Sequence, residues 1–194
     1  MHPLALFRYC PKCGSPRWTE NDFKSKKCAD CGFIYYFNSS AAVAAFIIDP
    51  NERLLVAKRA HEPAKGTLDL PGGFVDLYET GEEAVKREIL EETGLKINRI
   101  QYLFSLPNLY AYSGFEVHTL DMFFRCEIEN LSGLRAADDV EKLLFLPKSK
   151  ILPERFGLPS IQKAVDIFFR YQDLFRVSAN QAFDQIAHNI LSNG

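Results

Sequence analysis

Three glutamates, Glu88, Glu91 and Glu92, stand at i, i+3 and i+4, the spacing that sets side chains on one face of a helix. Like charges so placed repel, at a cost of about 0.2–0.5 kcal/mol per pair. A divalent cation would reverse that sign. Carboxylate oxygens are hard ligands and suit Mg²⁺ or Mn²⁺, ions that keep waters and also coordinate phosphate oxygens. Arg87 and Glu79 are near enough to join the cluster. Taken alone, Glu-x-x-Glu-Glu is more often a solvated acidic helix face.

The elements that must position these side chains are legible around them. Thr80 followed by Glu83 is a capping-box pattern, and Gly94 suits the left-handed position after a helix, so the spacing predicts a helix over 80–93, about 20 Å long at 1.5 Å per residue. Two apolar runs, 41–49 and 53–59, joined at Pro50 and Asn51, predict a hairpin. Further strands are expected at 102–106, 116–127 and 143–146. Beyond Pro153 the pattern is helical: Ile161, Val165 and Phe168 share one face, as do Ala182, Phe183, Ile186 and Ile190. The order is mixed α and β.

The register around the glutamates runs Gly73, five residues, Glu79, seven residues, then Arg87-Glu88-Ile89-Leu90-Glu91-Glu92-Thr93-Gly94-Leu95. It resembles the box of the Nudix hydrolase family, Gly-x5-Glu-x7-Arg-Glu-U-x-Glu-Glu-x-Gly-U with U aliphatic, at every fixed position. The preceding Leu70-Pro71-Gly72-Gly73 is also typical of the family. The resemblance implies an α+β fold, a Nudix α/β/α sandwich with a mixed β-sheet. It implies metal binding by Glu88, Glu91 and Glu92, with Gly72 approaching the metal through its backbone and Arg87 and Glu79 orienting the carboxylates. Ile89 and Leu95 would pack inward. The reaction implied is Mg²⁺- or Mn²⁺-dependent hydrolysis of a diphosphate bond by metal-activated water, with one to three ions. A general base would come from outside the box. Glu116, Asp121, Asp138, Asp139 and Glu141 are the candidates, and Glu141, just before the strand at 143–146, is the preferred one.

Cys10-Pro11-Lys12-Cys13-Gly14 and Cys28-Ala29-Asp30-Cys31-Gly32 repeat one pattern with 14 residues between the pairs, which resembles a zinc ribbon. Four thiolates from Cys10, Cys13, Cys28 and Cys31 would close a tetrahedral Zn²⁺ site with no position open for catalysis, so this one zinc is expected to be structural. A core-poor segment of this length needs such a staple. The expected division is a zinc ribbon over 1–37 and a Nudix domain over 38–194, in which 152–194 is a helical C-terminal extension.

A zinc ribbon followed by a Nudix domain resembles the NADH pyrophosphatase branch. That branch carries a Ser-Gln-Pro-Trp-Pro-Phe-Pro-like motif after its box, whereas this chain has Ser105-Leu106-Pro107-Asn108-Leu109-Tyr110. The implied substrates are therefore a nucleoside diphosphate linked to another moiety: NADH, NAD⁺, ADP-ribose or similar. Tyr110, Tyr112 and Phe115 are candidates to stack on a base, or equally to pack around a strand end. The alternative is a nucleotide-sensing or RNA-end-binding protein that uses the ribbon for nucleic acid.

Lys plus Arg number 23 and Asp plus Glu 25, a formal charge of −2, so no general attraction for nucleic acid or anionic membrane is expected. The ribbon alone is basic, through Arg8, Lys12, Arg17, Lys24, Lys26 and Lys27, and a solvated surface is favoured over nucleic-acid binding. The longest apolar run, 41–48, falls far short of the roughly 20 residues of a membrane helix, and a cytoplasmic location is expected. The C-terminal apolar stripes suit a homodimer or internal packing equally. Cys126, inside an apolar stretch, reads as a buried strand residue.

Overall fold

The computed structural model describes residues 2–112, 114–128, 130–138, 140–172 and 175. The chain divides into two units, Met1–Ser39 and Ser40–Gly194. The first is a three-stranded antiparallel sheet, β1 (Trp18–Asp22), β2 (Ser25–Cys28) and β3 (Ile34–Tyr36), in that order. Its buried cluster is small: Cys10, Trp18 and Cys28, with Cys31 and Phe33 against them. Such a core cannot offset the chain entropy of folding on its own.

In the second unit the apolar run at 41–48 becomes β4 (Ser40–Ile47), and it lacks polar alternation because both its faces are covered. Val43, Ala45 and Ile47 enter one core cluster, while Ala44 and Phe46 enter the other. The next strand, β5 (Arg53–Arg59), divides likewise, Leu55 to one side and Leu54 and Val56 to the other.

The predicted hairpin does not form. β4 and β5 meet at one isolated bridge, Ile48 with Leu54, and then part into different sheets. With both faces of each strand covered, each found partners distant in sequence. β6 (Leu68–Asp69), β7 (Ile97–Tyr112), β8 (Phe115–Ile128) and β9 (Val140–Pro147) supply them. One sheet has the order β4-β8-β7, with β4 parallel and β7 antiparallel to β8; the other, antiparallel, has the order β6-β5-β9.

Two helices close the sandwich. α1 (Gly81–Thr93) buries Ala84, Val85 and Ile89 in the cluster of Val43 and Ile47. α2 (Pro159–Arg170) buries Ile161, Ala164, Val165, Ile167 and Phe168 in the other, with Phe168 stacked on Phe46 at 4.0 Å between ring centroids. The stretch read as a C-terminal extension thus supplies an outer layer of the sandwich. The second C-terminal stripe, Ala182 to Ile190 in the sequence reading, lies outside the described residues, as do Asp139 and the side chain of Tyr110. Among the described residues no helix is long and apolar enough to cross a membrane.

Candidate active site

The capping box starts α1 as expected: the Glu83 N–H donates to Thr80 Oγ1 at 3.2 Å and the Thr80 N–H donates to Glu83 Oε2 at 2.8 Å. Gly94 ends the helix in the left-handed conformation, φ 70°. Ile89 and Leu95 are fully buried, which turns the glutamate face outward toward the 71–79 loop.

Arg87 organises that face. Its Nε and Nη2 donate to the two oxygens of Glu79 at 2.9 and 2.8 Å, and its Nη1 donates to Glu88 Oε1 at 2.8 Å and Glu91 Oε2 at 3.1 Å. Nη2 also donates to the Phe74 carbonyl at 2.9 Å, binding the loop to the helix. This planar fork is work a lysine could not do. Hydrogen bonds from Arg87 hold the Glu79 carboxyl below its ordinary value, and those same contacts hold Arg87 firmly protonated.

Glu92 lies deeper, 7% exposed, and accepts from the Gly72 N–H at 2.9 Å. Burial first, and then the charges of Asp69, Glu88 and Asp138, push its carboxyl up to about 8. Burial likewise raises Glu88. Here are four carboxylates and one guanidinium, which reaches Glu79, Glu88 and Glu91, while the buried Glu92 has only the Gly72 N–H. The surplus and its hard oxygen donors fit a divalent cation.

Gly72 and Gly73 permit the close approach of the loop. A Cβ on Gly72, whose φ is 152°, would lie 2.1 Å from the Val43 carbonyl oxygen, and one on Gly73 would lie 2.5 Å from Glu88 Oε1. The loop pairs with β4 through Ala45 N–H to the Pro71 carbonyl and Val43 N–H to the Gly73 carbonyl. This ladder skips the Gly72 carbonyl, the backbone oxygen expected to approach a metal.

A cavity of about 520 Å³ opens beside this cluster, with Glu92, Gly72, Gly73, Phe74, Asp69, Arg59, Asn108, Tyr112, Thr119 and Asp121 in its lining. Of the aromatic candidates, Tyr112 lines it and Phe115 does not. Phe74, Arg59, Asp69 and Asn108 were missed, since none carries a local spacing signal. Arg59 pairs with Asp69, whose carboxyl burial nevertheless raises.

The candidate bases separate clearly. Glu141 is engaged by Lys58 Nζ at 2.7 Å, and like Asp138 it lies outside the cavity lining. Asp121 is buried and accepts from Thr119 and Ser160. Asp138, in a left-handed conformation at φ 54°, is close enough for its charge to act on Glu88 and Glu92. Glu116 is exposed on β8. Cys126 is buried, which pushes its thiol up to about 12, so it is inert as a nucleophile.

The sequence profile of the NUDIX domain matches residues 38–167. The chain belongs to the Nudix family. Over 107 residues it is 34% identical to a NAD-capped RNA hydrolase NudC of Haemophilus influenzae, covering 55% of this chain and 40% of that one. Over 113 residues it is 37% identical to an ADP-ribose pyrophosphatase of Methanocaldococcus jannaschii, covering 57% and 63%. The chain thus spans less than half the length of the NudC relative. A Nudix hydrolase structure from Nitrosomonas europaea superposes with a TM-score of 0.66 at 22% identity, covering 86% of this chain and 92% of that one, which establishes the Nudix fold.

In the first unit the Sγ atoms of Cys10, Cys13, Cys28 and Cys31 all lie within 4.8 Å of one another. Cys10 and Cys31 are 3.7 Å apart and Cys13 and Cys28 are 3.6 Å apart. Tetrahedral thiolates at 2.3 Å from zinc would sit about 3.8 Å apart, so the residues fit that ion. Among the described residues this is the one group so gathered. The glutamate oxygens, with the Arg87 guanidinium between Glu88 and Glu91, are spread more widely.

Proposed function

We propose that this chain hydrolyses the diphosphate bond of a nucleoside diphosphate linked to a further group, of the ADP-ribose or NAD kind, using Mg²⁺ or Mn²⁺. The observation that carries the reading is the Arg87 fork binding Glu79, Glu88 and Glu91 while Glu92 lies buried against Gly72. Glu88, Glu91, Glu92 and the Gly72 carbonyl would hold the cations. Bound there, these would polarise phosphoryl oxygens and lower the pKa of a coordinated water.

The residues of the chain supply the rest. Arg87 and Glu79 fix the carboxylates before substrate arrives, so little reorganisation is needed on binding. Asp138, whose charge reaches Glu88 and Glu92, is the better supported acceptor of a proton from the attacking water, since Glu141 is paired with Lys58. Phe74 and Tyr112, both partly exposed in the cavity lining, offer faces for a nucleobase. The names of the relatives, NAD-capped RNA hydrolase and ADP-ribose pyrophosphatase, support this substrate range. One structural zinc in the ribbon over 1–37 completes the assignment, with 38–194 as the hydrolase domain.

The test is a panel of NADH, NAD⁺, ADP-ribose, ADP-sugars, dinucleoside polyphosphates and NAD-capped RNA, incubated with the Mg²⁺-loaded chain and resolved by chromatography. Cleavage between the phosphates of at least one member is expected, with Glu92→Gln slower by several orders of magnitude. Turnover of none would favour a nucleotide-binding regulator instead.

A further inference from the structure

The cavity beside Glu92 takes in one face of the β4-β8-β7 sheet. Along β4 this face carries Ala42 and Ala44 before Phe46, so small side chains leave open the space that phenylalanine fills further along. Across the sheet it carries Thr119 and Asp121 on β8 and Asn108 on β7, the cross-strand partner of Thr119. None of the three is a solvated surface group: Asn108 is 8% exposed, Thr119 2% and Asp121 6%.

Asp121 is fixed in place. Thr119 Oγ1 donates to its Oδ1 at 2.5 Å and Ser160 Oγ donates to its Oδ2 at 2.6 Å. Asn108 is different, for its Oδ1 is buried with no hydrogen-bond partner among the described residues. Buried amide oxygens are nearly always paired, and this one belongs to a residue that lines the cavity. Against the NADH-branch motif, with Ser105 and Pro107 in register, Asn108 also stands where tryptophan is expected.

The lining selects what can sit here. Arg59 in this lining is already paired with Asp69, and the buried Asp121 carboxylate repels an anion, so the diphosphate itself belongs at the cation site and not on this floor. An amide both donates and accepts, and a carboxylate with each oxygen used once still accepts. The complementary neutral group is one that both donates and accepts at adjacent atoms, as vicinal sugar hydroxyls do. We infer that Asn108, with Thr119 and Asp121, forms a specificity floor that hydrogen-bonds the hydroxyls of a ribose in the substrate. This rests on the diphosphate reading for the identity of the ligand, but its test does not require turnover.

The experiment measures binding, by titration calorimetry with Mg²⁺ present, of methylene-bridged ADP-ribose, which resists hydrolysis. Two analogues are compared with it, one lacking the 2- and 3-hydroxyls of the terminal ribose and one lacking those of the adenosine ribose. The wild-type chain should bind the parent at least about tenfold more tightly than one of the analogues, and the analogue that weakens identifies which ribose is read. Asn108→Leu should erase that preference, and Asn108→Ser, smaller and polar, gives the same comparison should the leucine variant melt early. Equal affinity of the wild type for all three, no binding of any, or a preference that survives both substitutions would overturn the inference. A preference with no cleavage of any member of the substrate panel would sink the hydrolase reading alone.

Discussion

Burial holds the Glu92 carboxyl near 8, well above its ordinary 4.5, so the folded chain retains a proton that the unfolded chain releases from about pH 4.5 upward. Without metal, stability should therefore fall as pH rises from about 4.5 to about 8, and Glu88, raised by burial in the same direction, adds to the slope. Glu92→Gln removes this ionisation. In urea titrations of metal-free protein, the variant should gain on the wild type between pH 5 and pH 8, and Mg²⁺ should flatten the slope of the wild type. Parallel pH profiles for the two proteins would show that Glu92 is not the group responsible. The proton-accepting role divides two neighbours: Asp138→Asn should lower kcat by about 10²–10⁴-fold, whereas Glu141→Gln, losing an exposed pair with Lys58, should change it little. The reverse order would restore Glu141. The glutamates were legible because helical spacing and box register coincide at adjacent positions. Asn108 and Asp69 were not, because their place in the cavity depends on strand pairings between distant segments.

α1 was readable to within a residue because its signals are local: Thr80 and Glu83 at one end, Gly94 at the other, and buried Ala84, Val85 and Ile89 between. Thr80→Ala, which breaks the capping box, should cost about 0.5–2 kcal/mol in urea unfolding. An unchanged midpoint would mean that the box contributes nothing. The loop before α1 is constrained more tightly. A Cβ at Gly72 would collide with the Val43 carbonyl, so Gly72→Ala must displace either the loop or β4. A loss of about 1–3 kcal/mol is expected, together with lost turnover as the Glu92 contact is pulled apart. Retention of both stability and rate would refute the close packing. The predicted hairpin failed at this same scale. The turn at Pro50 and Asn51 is real, but β4 and β5 have apolar residues on both faces, and such strands are free to enter separate sheets.

At the scale of the whole chain, two units depend on different sources of stability. Among its described residues the second has two α-helices over two-faced sheets and can fold on apolar burial. The first has a buried cluster of only three residues, Cys10, Trp18 and Cys28, and four converging thiols, of which Cys28 is held down to about 7 chiefly by the Cys31 backbone N–H. Its composition contains three more cations than acids, yet four thiolates around one divalent ion carry two negative charges that offset most of that excess. Several of the cations are also committed: Lys26 Nζ donates to the Phe7 carbonyl at 2.9 Å, Arg17 pairs with Asp30, and Lys24 lies over the Phe23 ring. The basic look of the ribbon is therefore better explained by internal pairing than by a polyanion partner. Metal binding, worth about 10–16 kcal/mol in such modules, would then dominate its folding. Purified chain should carry one zinc per molecule by elemental analysis. A strong chelator should remove it and abolish amide protection across β1, β2 and β3, while α1 and β8 keep theirs in hydrogen exchange. If the zinc-free chain kept protection in β1–β3, or if α1 and β8 lost theirs at the same chelator concentration, this division of labour would be wrong.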